Sequence, residues 1–332
     1  MLAALSLSGM MAREFGIPTV IGVSATTNPE DQLVTATDAK FNTASLREVM
    51  KRQQQIQRTC FESGAVVISI DTEQIWGHFD ISREHEFCAR YPNAPAVNDR
   101  LLECICSANL SATWDVVGAL SLPGTDGSSD PRMSGLPEAW ITRIPAGDEI
   151  AAPLWYRRRF VTAIRDATPA QEIALHGGLT HMIWGNGDNS YQALRLEMSR
   201  GMEALQEIGV RPRSFVFPRD LEGHHGILAR GGIQCYRGRA PILSEWLGYN
   251  SAGSITRAVE EVARLTPPPI WPTEIMPGLW NIPASLFIYC MGRARSRWVP
   301  LHLRLDRVRR GVEAAIRSKR YFPPGVASGE PG

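Results

Sequence analysis

From residue 64 onward, short apolar runs rich in β-branched residues alternate with longer segments in which apolar positions recur every three or four residues. The first pattern is that of strands buried on both faces, the second that of one-sided helices. The runs predict strands over 65–70, 112–117, 172–175, 214–217, 234–236 and 286–289. They predict helices over 97–106, 155–164, 191–208 and 225–230. Strands and helices in alternation build an α/β fold around a parallel sheet. Residues 119–135 ("ALSLPGTDGSSDPRMSG") read as a Gly/Ser/Pro-rich loop. Residues 46–61, polar and free of proline, read as a linker helix.

In such a fold the side chains just past the C-terminal strand ends gather at one mouth. Three of the predicted strands deliver polar residues there. "AVVISI" runs into Asp71-Thr72-Glu73, and "EIAL" into His176, with His181 close behind. "SFVF" runs into Pro218-Arg219-Asp220, followed by His224 and His225. Asp71 and Glu73 stand two apart, which on an extended segment puts both carboxylates on one side. Carboxylates brought together repel unless a cation or proton lies between them. Two imidazoles and one carboxylate can hold a zinc-type ion while leaving a position open for water, and the second carboxylate can then act as base. The alternative is packing: core or surface histidines, an Asp71 that caps a helix, an Arg219 in a structural ion pair. His176 and His181 are five apart. On a regular helix five residues turn through about 500°, so the rings would point some 140° apart. The pair can share an ion if Gly177-Gly178 makes this segment a loop. Trp76 and Trp184 flank the two motifs, either to stack on sugar rings or as buried aromatics.

Composition narrows the class. A hydrophobic content of 44% in 332 residues supports a sizeable core, and a formal net charge of +1 gives no reason to expect binding to nucleic acid. Six cysteines without a CxxC pair suit reduced thiols, and no run approaches the roughly 18 apolar residues that span a bilayer, so a cytoplasmic location is expected. The arginine-rich stretch 293–320 reads as the solvated face of a helix with Leu305, Val308, Val312 and Ile316 on its apolar side, or as an anion-binding patch.

The motifs "SIDTEQIWG", "HGGLTH" and "SFVFPRD" with the following "GH" resemble those of the polysaccharide deacetylase family (NodB homology, carbohydrate esterase 4) over about residues 62–322. The stretches "LLECICSANLSATWDVVGAL" and "GLWNIPASLFIY" resemble its branch in surface-polysaccharide biosynthesis. The resemblance implies a distorted (β/α) barrel that removes acetyl groups from a glycan or amino sugar. It implies Asp71 as general base, positioned by Arg219, and Glu73, His176 and His181 as ligands of a divalent metal ion, zinc being expected. By the same likeness His224 would face the substrate; Trp76 and Trp184, beside the first two motifs, are the candidates for further substrate contact. The branch normally ends in a strand carrying a histidine in a pattern like H-x-W-x-H-P. Here "PPGVASGEPG" follows instead, so the barrel is expected to lack its last strand, and residues 323–332 to form a disordered tail. The alternative expectation, for a chain without that histidine, is a catalytically impaired or truncated deacetylase-like protein that at most binds glycan. Residues 1–45, with "SLSGMMAREFGIP", resemble the end of the swivelling phosphohistidine domain of phosphoenolpyruvate-utilising enzymes, as a short α/β remnant with Leu7 where the histidine would stand.

Overall fold

Strands buried on both faces must be covered on both, and the chain meets that need by winding helices around a curled sheet. A computed structural model describes residues 3–5, residues 65–240 apart from 186 and 188, residues 251–289 apart from 267, 268 and 270, and residues 299–327 apart from 319 and 323. In chain order the strands are β1 (Ala3–Leu5), β2 (Ala65–Val67), β3 (Ser69–Thr72), β4 (Thr113–Val116), β5 (Gly124–Asp126), β6 (Ala146–Asp148) and β7 (Glu172–His176). They continue with β8 (Ser214–Val216), β9 (Cys235–Gly238), β10 (Thr273–Met276), β11 (Leu279–Pro283), β12 (Leu286–Tyr289), β13 (Tyr321–Phe322) and β14 (Pro324–Ala327). Nine of them form one sheet in the order β10-β11-β9-β8-β7-β4-β3-β14-β12. All its pairs are parallel except β10 with β11. Strands β1, β2 and β13 make a small second sheet, and β5 pairs with β6.

The sheet is curled but open. Along it, β9 lies four strand spacings from β3, about 19 Å if the sheet were flat. Yet Arg237 on β9 donates to Asp71 on β3 at 2.6 Å. The two strands therefore face each other across a concave interior. Among the described residues no pairing joins β10 to β12, so the barrel expected from the sequence is a half-barrel here.

The helix Tyr191–Gln206 shows how the covering layer is built. Ser190 caps it, its hydroxyl accepting from the Ala193 N–H at 3.1 Å. It buries Ala193, Leu194, Met198, Gly201, Ala204 and Leu205, one face at helical spacing, with Glu197 the single acid among them. The helix Arg158–Asp166 buries Phe160, Val161 and Ile164 in the same way. Trp76, Trp114, Trp184, Phe215 and Phe217 are among the largest fully buried side chains.

Several expectations change. The run 65–70 is two strands that serve different sheets. The strand expected over 234–236 extends to Gly238 and so includes Arg237. The loop over 119–135 contains β5 and short 3-10 turns. The last strand is present: Pro324–Ala327, expected as disordered tail, pairs with β3 on one side and β12 on the other. An unpaired β3 edge beside the core invites any extended segment, and Pro324 sits at the first strand position, where a missing N–H is tolerated. Residues 6–64 lie outside the described residues, and with them the linker helix and nearly all of the stretch 1–45. No helix among the described residues is long and apolar enough to cross a membrane.

Candidate metal centre

Strand β3 ends at Thr72, and the chain then turns. Glu73 has φ −118° and ψ −19°, so it is no longer extended, and Gln74 is left-handed with φ +50°. This turn separates the two acids that simple alternation put on one side. Asp71 and Glu73 have different partners.

Glu73 goes to the imidazoles. Its Oε2 lies 3.0 Å from His176 Nε2 and 2.9 Å from His181 Nε2, and the two Nε2 atoms are 3.1 Å apart. All three side chains are buried. Gly77 makes room for the carboxylate: a Cβ there would stand 2.2 Å from Glu73 Cδ. His176 closes β7, and Gly177, at φ +86°, turns the chain away from the strand. His181 therefore returns on a loop, and the five-residue spacing brings the rings together because no helix intervenes.

The donor set fits a metal ion. His176 Nδ1 lies 3.0 Å from the carbonyl oxygen of Val216. A carbonyl only accepts, so this nitrogen carries the proton, and in the neutral ring Nε2 is a lone pair. That lone pair faces a carboxylate oxygen and a second imidazole nitrogen at about 3 Å, a convergence that only a proton or a cation resolves. Donors at 2.0–2.1 Å from a tetrahedral zinc stand about 3.3 Å from one another, close to the spacing seen. Among the described residues these three form the cluster able to hold an ion.

The electrostatics reflect the crowding. Burial alone would raise the Glu73 carboxyl, but with no ion between them the imidazoles of His181 and His176 hold it well below the usual carboxylate range. Burial alone would lower His176, but Glu73, reinforced by Asp71 and Asp115, pushes it up to about 9. Burial, only partly offset by Glu73, lowers His181. His78, packed against Phe87 and Tyr91, is lowered by burial to about 4.

Asp71 goes to Arg237. One guanidinium nitrogen donates to Asp71 Oδ1 at 2.6 Å, to Asp115 Oδ2 at 2.9 Å and to the Ser69 hydroxyl at 2.8 Å. Asp220 stands 3.7 Å from the other terminal nitrogen. Burial raises the Asp115 carboxyl well above its usual range, with Arg237 opposing. Sequence reasoning missed both Arg237 and Asp115. The signal was there: Arg237 is the charged residue after "QCY", at a strand end like the others. Asp115 is an acid inside a buried apolar run, directly across from Asp71 in register.

Other expectations are corrected. Arg219 does not hold Asp71; both oxygens of Asp80 accept from it at 2.6 and 2.7 Å. Its backbone is left-handed, at φ +55°, and its charge still acts on His78 and His181, helping to lower both. Trp76 and Trp184 are core residues at 0% and 1% exposure, closed to a sugar ring. Trp76 donates its N–H to Trp155 O and Trp184 to Gly177 O. His224 is exposed beside Tyr191, their ring centroids 6.0 Å apart. Four of the six non-glycine residues with positive φ among the described residues are Gln74, Arg219, Asp220 and His224, all in the loops after β3 and β8. Such conformations cost about 1–3 kcal/mol each and concentrate at functional sites.

No protein-family model and no curated protein matches the chain. Among solved structures, the chain is similar to a Mycobacterium smegmatis protein assigned as a polysaccharide deacetylase, with a TM-score of 0.50 at 16% identity over 79% of this chain and 76% of that one. A structure described as T48 deacetylase with substrate gives a TM-score of 0.33 at 13% identity, over 79% and 88%. The first likeness is one of fold. The resemblance of residues 1–45 to a phosphohistidine domain finds no support.

Proposed function

We propose that the chain is a metal-dependent hydrolase that removes acetyl groups, from nitrogen in the first instance, from a glycan or amino sugar in polysaccharide biosynthesis. One observation carries this reading: a buried Glu73–His176–His181 cluster, with a second acid, Asp71, two residues from the cluster and held by its own arginine. The deacetylase-type fold agrees with it.

Glu73 Oε2, His176 Nε2 and His181 Nε2 would hold the ion. When bound, zinc supplies Lewis-acid polarisation of the acetyl carbonyl and eases deprotonation of water. Asp71 takes the proton from the attacking water, and Arg237 fixes the direction in which that carboxylate points. The water oxygen bonds to the acetyl carbon, the C–N bond breaks, and the proton returns to the departing nitrogen. Acetate and a free amine result. Arg237 takes the positioning role that the resemblance implied for Arg219.

The test is acetate release from an N-acetylated glycan together with the zinc content of the purified protein. Asp71→Asn keeps zinc and loses about 10²–10⁴-fold in rate, the usual contribution of a general base, whereas His176→Ala loses zinc and rate together. Unchanged acetate release in both variants removes the mechanism.

A further inference from the structure

Four residues separate His176 from His181, and the chain must reverse within them. The loop is gripped from two sides. Gly118 N–H donates to Gly178 O at 2.8 Å, and Ala119 N–H to Leu179 O at 2.7 Å. From the opposite side comes the helix Tyr191–Gln206. Leu179 N–H donates to the Glu197 backbone oxygen at 2.9 Å. Glu197 Oε1 accepts from both the Thr180 N–H and the Thr180 hydroxyl, each at 2.7 Å. The same hydroxyl accepts from Trp140 Nε1 at 2.7 Å.

The approach is as close as the chain allows. A Cβ on Gly178 would stand 2.5 Å from Glu197 Cγ, and one on Gly201 would stand 2.4 Å from the Gly178 carbonyl carbon. Glu197 and Gly201 are four apart and share a helix face. One lets the loop in and the other holds it. Glu197 is wholly buried among apolar neighbours, a placement that costs free energy unless its bonds do something in return. Those bonds end on Thr180, the residue before His181.

We infer that Glu197 is a positioning residue for the metal centre, fixing the 177–181 loop so that His181 Nε2 meets His176 and Glu73. The inference rests on the reading that these three residues bind a metal. Glu197 does not touch the ion; it acts through Thr180.

The experiment measures zinc affinity of the full chain, stripped of metal, by competition with a chromophoric chelator, alongside urea unfolding. Glu197→Met, similar in size but without an acceptor, lowers zinc affinity about 10–100-fold, the usual cost of losing an outer-shell partner. Glu197→Gln, which keeps the Oε1 acceptor, loses less than the roughly tenfold that marks a missing outer-shell partner. Leu205→Ala, a core truncation on the same helix, lowers stability but leaves zinc affinity unchanged. A folded Glu197→Met protein with wild-type affinity overturns the inference, and so does a Glu197→Gln protein as weak as Glu197→Met. If Glu197→Met does not fold, Thr180→Ala decides, because undiminished affinity there also overturns it. In each of these outcomes wild type still binds zinc and the proposed function stands. A wild type that takes up no zinc overturns both.

Discussion

Replacing Glu197 by Gln will change how the stability of the metal-free chain responds to pH. Burial, only partly offset by donors from Thr180, raises the Glu197 carboxyl from its ordinary 4.5 to about 7. A carboxyl raised in the folded state favours folding fully at pH below about 4.5, and this contribution is lost as pH climbs through about 7. The gap is roughly two and a half pH units at 1.36 kcal/mol each, so wild type forfeits about 3 kcal/mol that glutamine, which does not titrate, keeps. All other titrating groups are common to both proteins and cancel in the difference. Urea unfolding of both, with chelator present, at pH 5, 6.5 and 8 gives the comparison. Relative to wild type, Glu197→Gln gains about 2–3 kcal/mol between the first and last pH. A difference constant to within about 0.5 kcal/mol, the usual scatter between independent measurements, would falsify the account of a carboxyl forced up by burial.

Three further outcomes follow from particular contacts. Gly77→Ala drives a Cβ into the Glu73 carboxylate; at about 1–3 kcal/mol for overpacking, zinc affinity measured by chelator competition falls about 5–150-fold. Arg237→Met leaves Asp71 and Asp115 without their buried cation and lowers stability in urea unfolding by about 3–5 kcal/mol; Arg237→Lys does not restore it, because an ammonium cannot reproduce the guanidinium's planar set of donors. Trp184→Phe removes a buried N–H bonded to Gly177 O; it lowers the unfolding midpoint and leaves the KM for substrate unchanged, whereas a raised KM would restore Trp184 to the substrate surface.

The residues that meet at the centre were legible because each stands where an apolar run gives way to polar chain: Glu73 after β3, His176 at the end of β7. That rule concerns one strand at a time. It carries no information about which strand end faces which, and that is where the reading failed. Arg219 and Arg237 both follow strands, and only the curl of the sheet makes β9, rather than the loop after β8, the neighbour of β3 across the interior. Trp76 and Trp184 failed for a related reason: residues beside a motif in sequence can point behind the sheet. The five-residue histidine spacing was readable as a loop from Gly177-Gly178, but the acid that braces this loop comes from a helix where Glu197 looks like any solvent-facing glutamate. Strand β14 was hidden because Pro and Gly dominate its neighbourhood, and its pairing is made by backbone atoms, which leave no mark in side-chain pattern.

The bond from Arg237 to Asp71 joins positions 166 residues apart. A shortened chain ending near residue 230 would contain every atom proposed to grip the ion, yet would lack the guanidinium proposed to aim the base. On the proposed roles, the ligands of the ion are all in place by residue 181, and the base gains Arg237 only once β9 has come round to close the hollow.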